Sequence, residues 1–112
     1  MKVSELTGAK LDYWVGKARS IRPKWSGHLV FSPDGDVYDP SDCWAIAGPI
    51  IDEKGISVWM DEGKFLAGIS LGLGFGNESA WLTADHMEYG ASYLEAAMRC
   101  YVASHFGHEV PQ

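Results

Sequence analysis

The chain has 112 residues, with five Trp, five Tyr and four Phe, and 15 Asp+Glu against nine Lys+Arg for a formal charge of −6. A chain of this length removes roughly two-thirds of its unfolded surface from water, enough for one modest core, so a single domain over residues 1–112 is expected and a two-domain architecture is excluded. With 46% hydrophobic and 21% charged residues it is neither disordered nor disulfide-dense, and its longest uncharged run, residues 65–77, is well short of the roughly 20 apolar residues of a membrane helix.

Residues 4–19 carry Leu11, Trp14, Val15 and Ala18 at spacings of three and four, the apolar stripe of an amphipathic helix. Ser4 is placed to cap it, and Glu5, Lys17 and Arg19 complement its dipole. Arg22 and Trp25 follow in a loop that Pro23 and Gly27 enforce. Residues 28–31 read as a short strand, 32–35 as a turn and 36–38 as the paired return. Ser41 or Asp42 then caps a second helix that reaches Lys54 and closes at Gly55, with Trp44, Ala47, Ile50 and Ile51 on one face. Pro49 removes a backbone bond inside that helix, so a kink near Ala45 is expected, or else a fresh start with Pro49 in the first position.

Residues 56–60 and 65–71, joined by the turn 61–64, form an antiparallel hairpin. Residues 72–77, with Gly72, Gly74 and Gly76, look too glycine-rich for a regular element, and residues 80–84 are a further short strand. The clearest element is a helix over residues 92–106: Leu94, Ala97, Met98, Tyr101 and Val102 recur at helical spacing, Ser92 to Glu95 is a capping box, Glu95 and Arg99 form an i,i+4 pair, and Gly107 ends the run. Residues 108–112 are expected to fray. The result is an α+β domain, a small antiparallel sheet packed with three helices in the order αββαβββα. Short strands with many Trp leave apolar edges to cover, which predicts a homo-oligomer.

Charge is polarised along the chain. Residues 1–24 hold Lys2, Lys10, Lys17, Arg19, Arg22 and Lys24 against Glu5 and Asp12, while residues 34–62 hold eight acids against Lys54. An acidic protein repels nucleic acid at long range, so duplex binding is disfavoured. Glu5 lies where a secretory signal needs apolar residues, which predicts a cytoplasmic protein. Cys43 and Cys100 form neither a disulfide framework nor a Cys-x-x-Cys site and read as buried thiols rather than nucleophiles. The glycines at 72, 74 and 76 lack the Gly-Lys-Ser/Thr ending of a phosphate loop and the spacing of the dinucleotide fingerprint. Neither His105 and His108 with Cys100, nor His86 with Asp85, has zinc-ligand spacing, and the acids from Asp34 to Asp42 lack the twelve-residue calcium loop. No cofactor, metal or catalytic constellation is predicted.

The aromatic residues carry the functional signal. Helical periodicity explains Trp14 and Trp44 as packing, whereas Trp25, Tyr38, Trp59 and Trp81 fall in loops or at strand edges. Aromatic faces beside a cation such as Arg22 or Arg99 hold a planar base by stacking while its phosphate is neutralised. The competing readings are core packing and a protein–protein surface, where Trp, Tyr and Arg also concentrate.

Three blocks of residues resemble the NinX-like family of small tailed-phage proteins. They are the opening Met1 to Ala9 with Leu11-Asp12-Tyr13-Trp14-Val15; the central Tyr38-x-Pro40-Ser41-x-x-Trp44-Ala45-x-x-Gly48-Pro49-Ile50-Ile51; and Ala96-Ala97-Met98-Arg99-Cys100-Tyr101-Val102-Ala103-Ser104 with Gly107, Glu109 and Val110. Residues 20–37 and 61–90 do not take part. The family is distantly similar to phage domains described as an alpha-beta-alpha sandwich, which implies three helices against an antiparallel sheet. The resemblance also implies an accessory phage protein made in the host cytoplasm that acts by binding rather than catalysis. By analogy with small phage proteins of this class, the expected role is to counter host defence by sequestering a nucleotide signal, in a pocket around Tyr38, Asp42, Trp44 and Arg99 at a subunit boundary. The alternative is an inhibitor that binds a host protein through its acidic 34–62 segment.

Overall fold

The computed structural model describes residues 1–111, apart from the side chains of Trp81 and Leu82. Three α-helices, α1 (Gly8–Ala18), α2 (Trp44–Lys54) and α3 (Tyr93–Phe106), accompany seven strands: β1 (Lys24–Trp25), β2 (Val30–Phe31), β3 (Ile56–Asp61), β4 (Lys64–Ile69), β5 (Gly72–Gly76), β6 (Ser79–Thr83) and β7 (His86–Gly90). The α+β class holds, with every strand pair antiparallel, but the strands divide among three sheets, β1-β2, β3-β4-β7 and β5-β6.

α3 is the central element. Ser92 accepts a hydrogen bond from the Glu95 amide at 3.1 Å, meeting one of the unsatisfied donors at the helix start, and the Glu95 carboxylate takes the amide of Ala91, just before the cap, at 2.8 Å. Leu94, Ala97, Met98, Cys100, Tyr101 and Val102 are buried. One side of α3 lies on the β3-β4-β7 sheet and the other meets α1 and α2. Its small residues permit the close approach: Ala96 and Ala97 are fully buried.

The first helix is shorter than its apolar pattern predicts. Residues 3–5 form a 3₁₀ turn, the chain extends at Leu6 and Thr7, and α1 begins at Gly8, which has φ 55°. Leu6, completely buried, has to face the core from a position the α1 stripe cannot serve, so tertiary packing overrides helical continuity. Leu11, Val15 and Ala18 are buried as their spacing requires, and Trp14 is half-buried against the core.

The loop expected at residues 22–27 contains β1, which pairs with β2, and the return at 36–38 is reduced to one bridge between Phe31 and Val37. α2 starts at Trp44 with Cys43 as its cap, later than Ser41 or Asp42, because the Asp42 amide closes a turn onto Asp39 and the Ser41 amide is taken by Asp12. The helix runs through Pro49 without restarting and ends at Gly55, φ 63°. Trp44 is 54% exposed, not packed in the core: it stands at the first position of α2, beside Tyr93 and Leu94 at the start of α3.

β3 and β4 form the predicted hairpin through a turn in which Glu62 and Gly63 have φ 50° and 76°, a pair of positive values that matches the twist of two-residue hairpins. Residues 72–76, expected to be irregular, are strand β5, paired with β6 across Asn77 and Glu78. The missed signal is the alternation of Leu73 and Phe75 between the glycines. β7 was not predicted. The C-terminal residues are not frayed as expected: Val3 and Val110 amides donate to His108 and Met1 carbonyls, and Val110 is buried.

Candidate functional site

Two concave regions gather the residues that the sequence singles out. The first is a cavity of about 380 Å³ between the start of α1, the 28–42 loop and the start of α3. Tyr38 and Asp42 both line it, together with Asp12, Asp39, Ser41 and Glu95. Asp12 is 4% exposed and accepts the Ser41 amide at 2.8 Å, which pins the 38–42 turn to α1. Burial pushes its pKa up to about 6, and the charges of Asp39 and Asp42 add to the shift, against the hydrogen bonds from Ser41. The Tyr38 hydroxyl is buried without a hydrogen-bond partner among the described residues, and burial raises its pKa to about 12. Four carboxylates around one cavity disfavour a phosphate there.

Asp12 gives a pH dependence whose sign is fixed. Its folded pKa of about 6 lies above the usual 3.8, so the native state holds this proton more tightly than the unfolded chain. Its contribution to stability is complete below pH 4 and is lost as pH rises through 6, by about 3 kcal/mol. Asp12→Asn keeps an oxygen for the Ser41 amide and cannot ionise. Denaturation at a series of pH values is expected to show the variant gaining on the parent protein between pH 4 and 7 and running parallel to it above; a constant gap across that window would refute the assignment.

Trp44 lines a smaller adjoining cleft of about 220 Å³ that shares Ser41, Asp42 and Ser92 with the first cavity. Arg99 lines neither. Its Nε donates to the Leu6 carbonyl at 2.8 Å, one terminal nitrogen donates to the Tyr89 carbonyl at 2.9 Å and the other pairs with Glu95 at 3.1 Å. Burial would raise the Glu95 pKa, but hydrogen bonds from Thr7 and the Ala91 amide, with the Arg99 charge, bring it below the usual carboxylate range. Arg99 therefore ties the N-terminal segment, β7 and α3 together. Trp59 lies on the β3-β4-β7 sheet over Gly68. Arg22 is exposed with φ 57°. The side chain of Trp81 lies outside the described residues.

The second concave region is a cleft of about 480 Å³ lined by Lys10, Tyr13, Trp14, Lys17, Trp25 and Pro111. Of the residues singled out from sequence, Trp25 is here, 44% exposed. Its aromatic and basic companions come from α1, where positions 10, 13, 14 and 17 follow the i, i+3, i+4, i+7 spacing and so share one face. Tyr13 meets Trp14 edge to face at 5.5 Å and Trp25 at 6.2 Å, Trp14 rests on Phe106 at 5.4 Å, and the Lys17 ammonium stands 6.0 Å over the Tyr13 ring. Among the described residues, the lining carries two ammonium groups and no carboxylate. Neither Arg22 nor Arg99, the cations expected from the sequence, lines this cleft; Lys10, Tyr13 and Lys17 do, and their helical spacing is the signal that points to them.

Of the two thiols expected to be buried, Cys43, the cap of α2, is only half-buried. Cys100 is buried, its thiol points to the His86 carbonyl at 3.4 Å, and burial pushes its pKa up to about 12, far from the thiolate that nucleophilic chemistry requires. Among the described residues no three His, Cys, Asp or Glu side chains assemble into a metal-holding group, and no helix is long and apolar enough to cross a membrane.

The three sequence blocks that resemble a phage family thus lie on α1, on the 38–51 segment and on α3, the parts that build the acidic cavity and anchor the core. Comparison with curated proteins gives no match. Residues 2–105 match the family described as Bacteriophage P22, NinX, a span that includes both concave regions except Pro111. The chain belongs to the bacteriophage P22 NinX family.

Proposed function

We propose that this phage protein works by binding, in the cytoplasm of the infected host, and sequesters a planar anionic ligand of the nucleotide class, so countering a host defence signal. The observation that carries the reading is the meeting of Tyr13, Trp14 and Trp25 with Lys10 and Lys17 in one cleft. Stacking on aromatic faces is sequence-tolerant and worth about 1–3 kcal/mol per base, and a nearby ammonium neutralises a phosphate. Lys10 and Lys17 lie two turns apart on α1, roughly 10 Å along its axis, a separation suited to two phosphates or to both ends of a phosphate chain.

The test is a thermal-shift panel of cyclic and ADP-ribose-type nucleotides, followed by recovery of the bound compound from denatured protein. A stabilising nucleotide should come back chemically unaltered. Trp25→Ala is expected to weaken its binding by about five- to hundredfold, with little change in the melting temperature of the free protein. Lys10→Glu with Lys17→Glu should abolish binding. A panel without any shift, or a shift that both variants retain, would sink the cleft as the site.

A second reading, an acidic inhibitor of a host protein, draws on the cavity around Asp12, Asp39, Asp42 and Glu95, which favours a basic side chain over a phosphate. Stoichiometric recovery of a host protein, lost in Asp39→Asn with Asp42→Asn and unaffected by Trp25→Ala, would favour it.

A further inference from the structure

The β3-β4-β7 sheet has two unlike faces. Ile56, Val58, Ala67 and Ile69 belong to the core that α2 and α3 complete, so these helices cover their side of the sheet. The other face is set by the cross-strand rows Trp59–Leu66–Tyr89 and Ser57–Gly68–Met87. Tyr89 is 56% exposed and Met87 is exposed too, while Leu66 is buried yet lies outside the main core cluster. Among the described residues no helix packs on this face.

The β5-β6 hairpin is the second surface without a partner. It is inserted between β4 and β7, pairs only with itself among the described residues, and carries Leu73 and Phe75 on one face at 61% and 74% exposure. A two-stranded ribbon is marginal in water without something to pack on. The molecule measures 54 × 27 × 25 Å, with a radius of gyration of 14.7 Å, against about 13 Å for a compact chain of this length.

We infer that these two surfaces cover each other between two copies of the chain. The β5-β6 arm of each lies across the open sheet face of the other, about a two-fold axis. Each chain supplies one arm and one face, which is what a self-complementary interface requires. The lengths agree: a five-residue strand spans about 17 Å and the six-residue strands β3 and β4 about 20 Å. The arm leaves the sheet at the Ile69 and His86 end. An antiparallel two-fold arrangement therefore carries its tip, with Glu78, to the opposite end of the partner's sheet, where Lys64 stands 5.7 Å over the Tyr89 ring. Leu73 and Phe75 then meet Trp59, Met87 and Tyr89, apolar side chains against apolar side chains.

Light scattering coupled to size exclusion tests this. The parent protein is expected at twice the 12.3 kDa chain mass. Phe75→Glu, at an exposed position that leaves the fold intact by circular dichroism, should raise the dimer Kd by about tenfold or more. Tyr89→Glu, which alters the face instead of the arm, should weaken the dimer likewise, and a mixture of the two variants should pair better than either alone, because one arm–face contact is then intact, a rescue that a merely misfolded arm cannot show. A parent protein of monomer mass, including one that binds a different protein on this face, overturns the inference. So does a dimer that Phe75→Glu leaves intact, or a mixture of the arm and face variants without rescue.

Discussion

Gly90→Ala is expected to lose cooperative folding, or to retain it with a loss of at least about 3 kcal/mol, the range of severe overpacking. A Cβ at this position would fall inside contact distance of the Ala96 amide nitrogen, 2.9 Å from the Ala96 Cα and 3.0 Å from the Glu95 carbonyl carbon. All three are backbone atoms in the first turns of α3, so no rotamer change relieves the clash. The helix has to move off β7, and with it the layer between the sheet and the other two helices. Gly68→Ala is the internal contrast. Its Cβ would meet Leu71 Cδ2 at 2.9 Å and the Trp59 ring at 3.3 Å, side-chain ends that can give way, and a cost of about 1 kcal/mol is expected. Urea denaturation of the two variants measures the difference. Equal costs would mean that α3 does not approach β7 at backbone distance.

Gly90 also marks where sequence reasoning stops. In Gly90-Ala91-Ser92 the glycine reads as ordinary loop punctuation ahead of a helix cap, and nothing local distinguishes a turn from a close approach of helix to strand. α3 itself was legible because cap, i,i+4 pair, apolar spacing and terminal glycine all agree. The β3-β4 hairpin was legible because its turn residues and flanking apolar runs agree as well. β7 was not, since its alternation is inverted: His86 and Glu88 lie on the α3 side, whereas Met87 and Tyr89 lie on the open face. A period-2 search expects the reverse. β5 failed for a related reason, with glycines at every second position concealing the strand period of Leu73 and Phe75.

The candidate site divides in the same manner. Trp25 stood out because no periodicity explained it, and it does line a cleft. The charges that face it come not from the arginines at 22 and 99 but from Lys10 and Lys17 of α1, at helical spacing. Trp44 went the other way. The pattern 44, 47, 50, 51 is sound for Ala47 and Ile50, which are buried, and fails at Trp44 because the helix begins there and leaves its first residue over a cleft at the start of α3.

Arg99 gives the sharpest separation between a structural and a ligand-holding role. Its guanidinium meets the Leu6 carbonyl, the Tyr89 carbonyl and Glu95 in one plane of donors, a set that a lysine ammonium cannot reproduce with the same directions. Removing it leaves two carbonyls without this donor and Glu95 without its cation, while Thr7 and Ala91 still hold that carboxylate in place. Arg99→Met is therefore expected to cost about 3 kcal/mol, with a fall in melting temperature of roughly 10–20 °C. Arg99→Lys should recover only part of this. In a Glu95→Gln background the same substitution should cost measurably less, because no unpaired carboxylate remains; a cycle of the four proteins gives the coupling directly. Under the proposed function, affinity for a nucleotide that the thermal-shift panel identifies should be unchanged in whatever fraction stays folded. A variant that keeps its melting temperature and loses ligand would place Arg99 in the binding site instead, as the sequence alone had led one to expect.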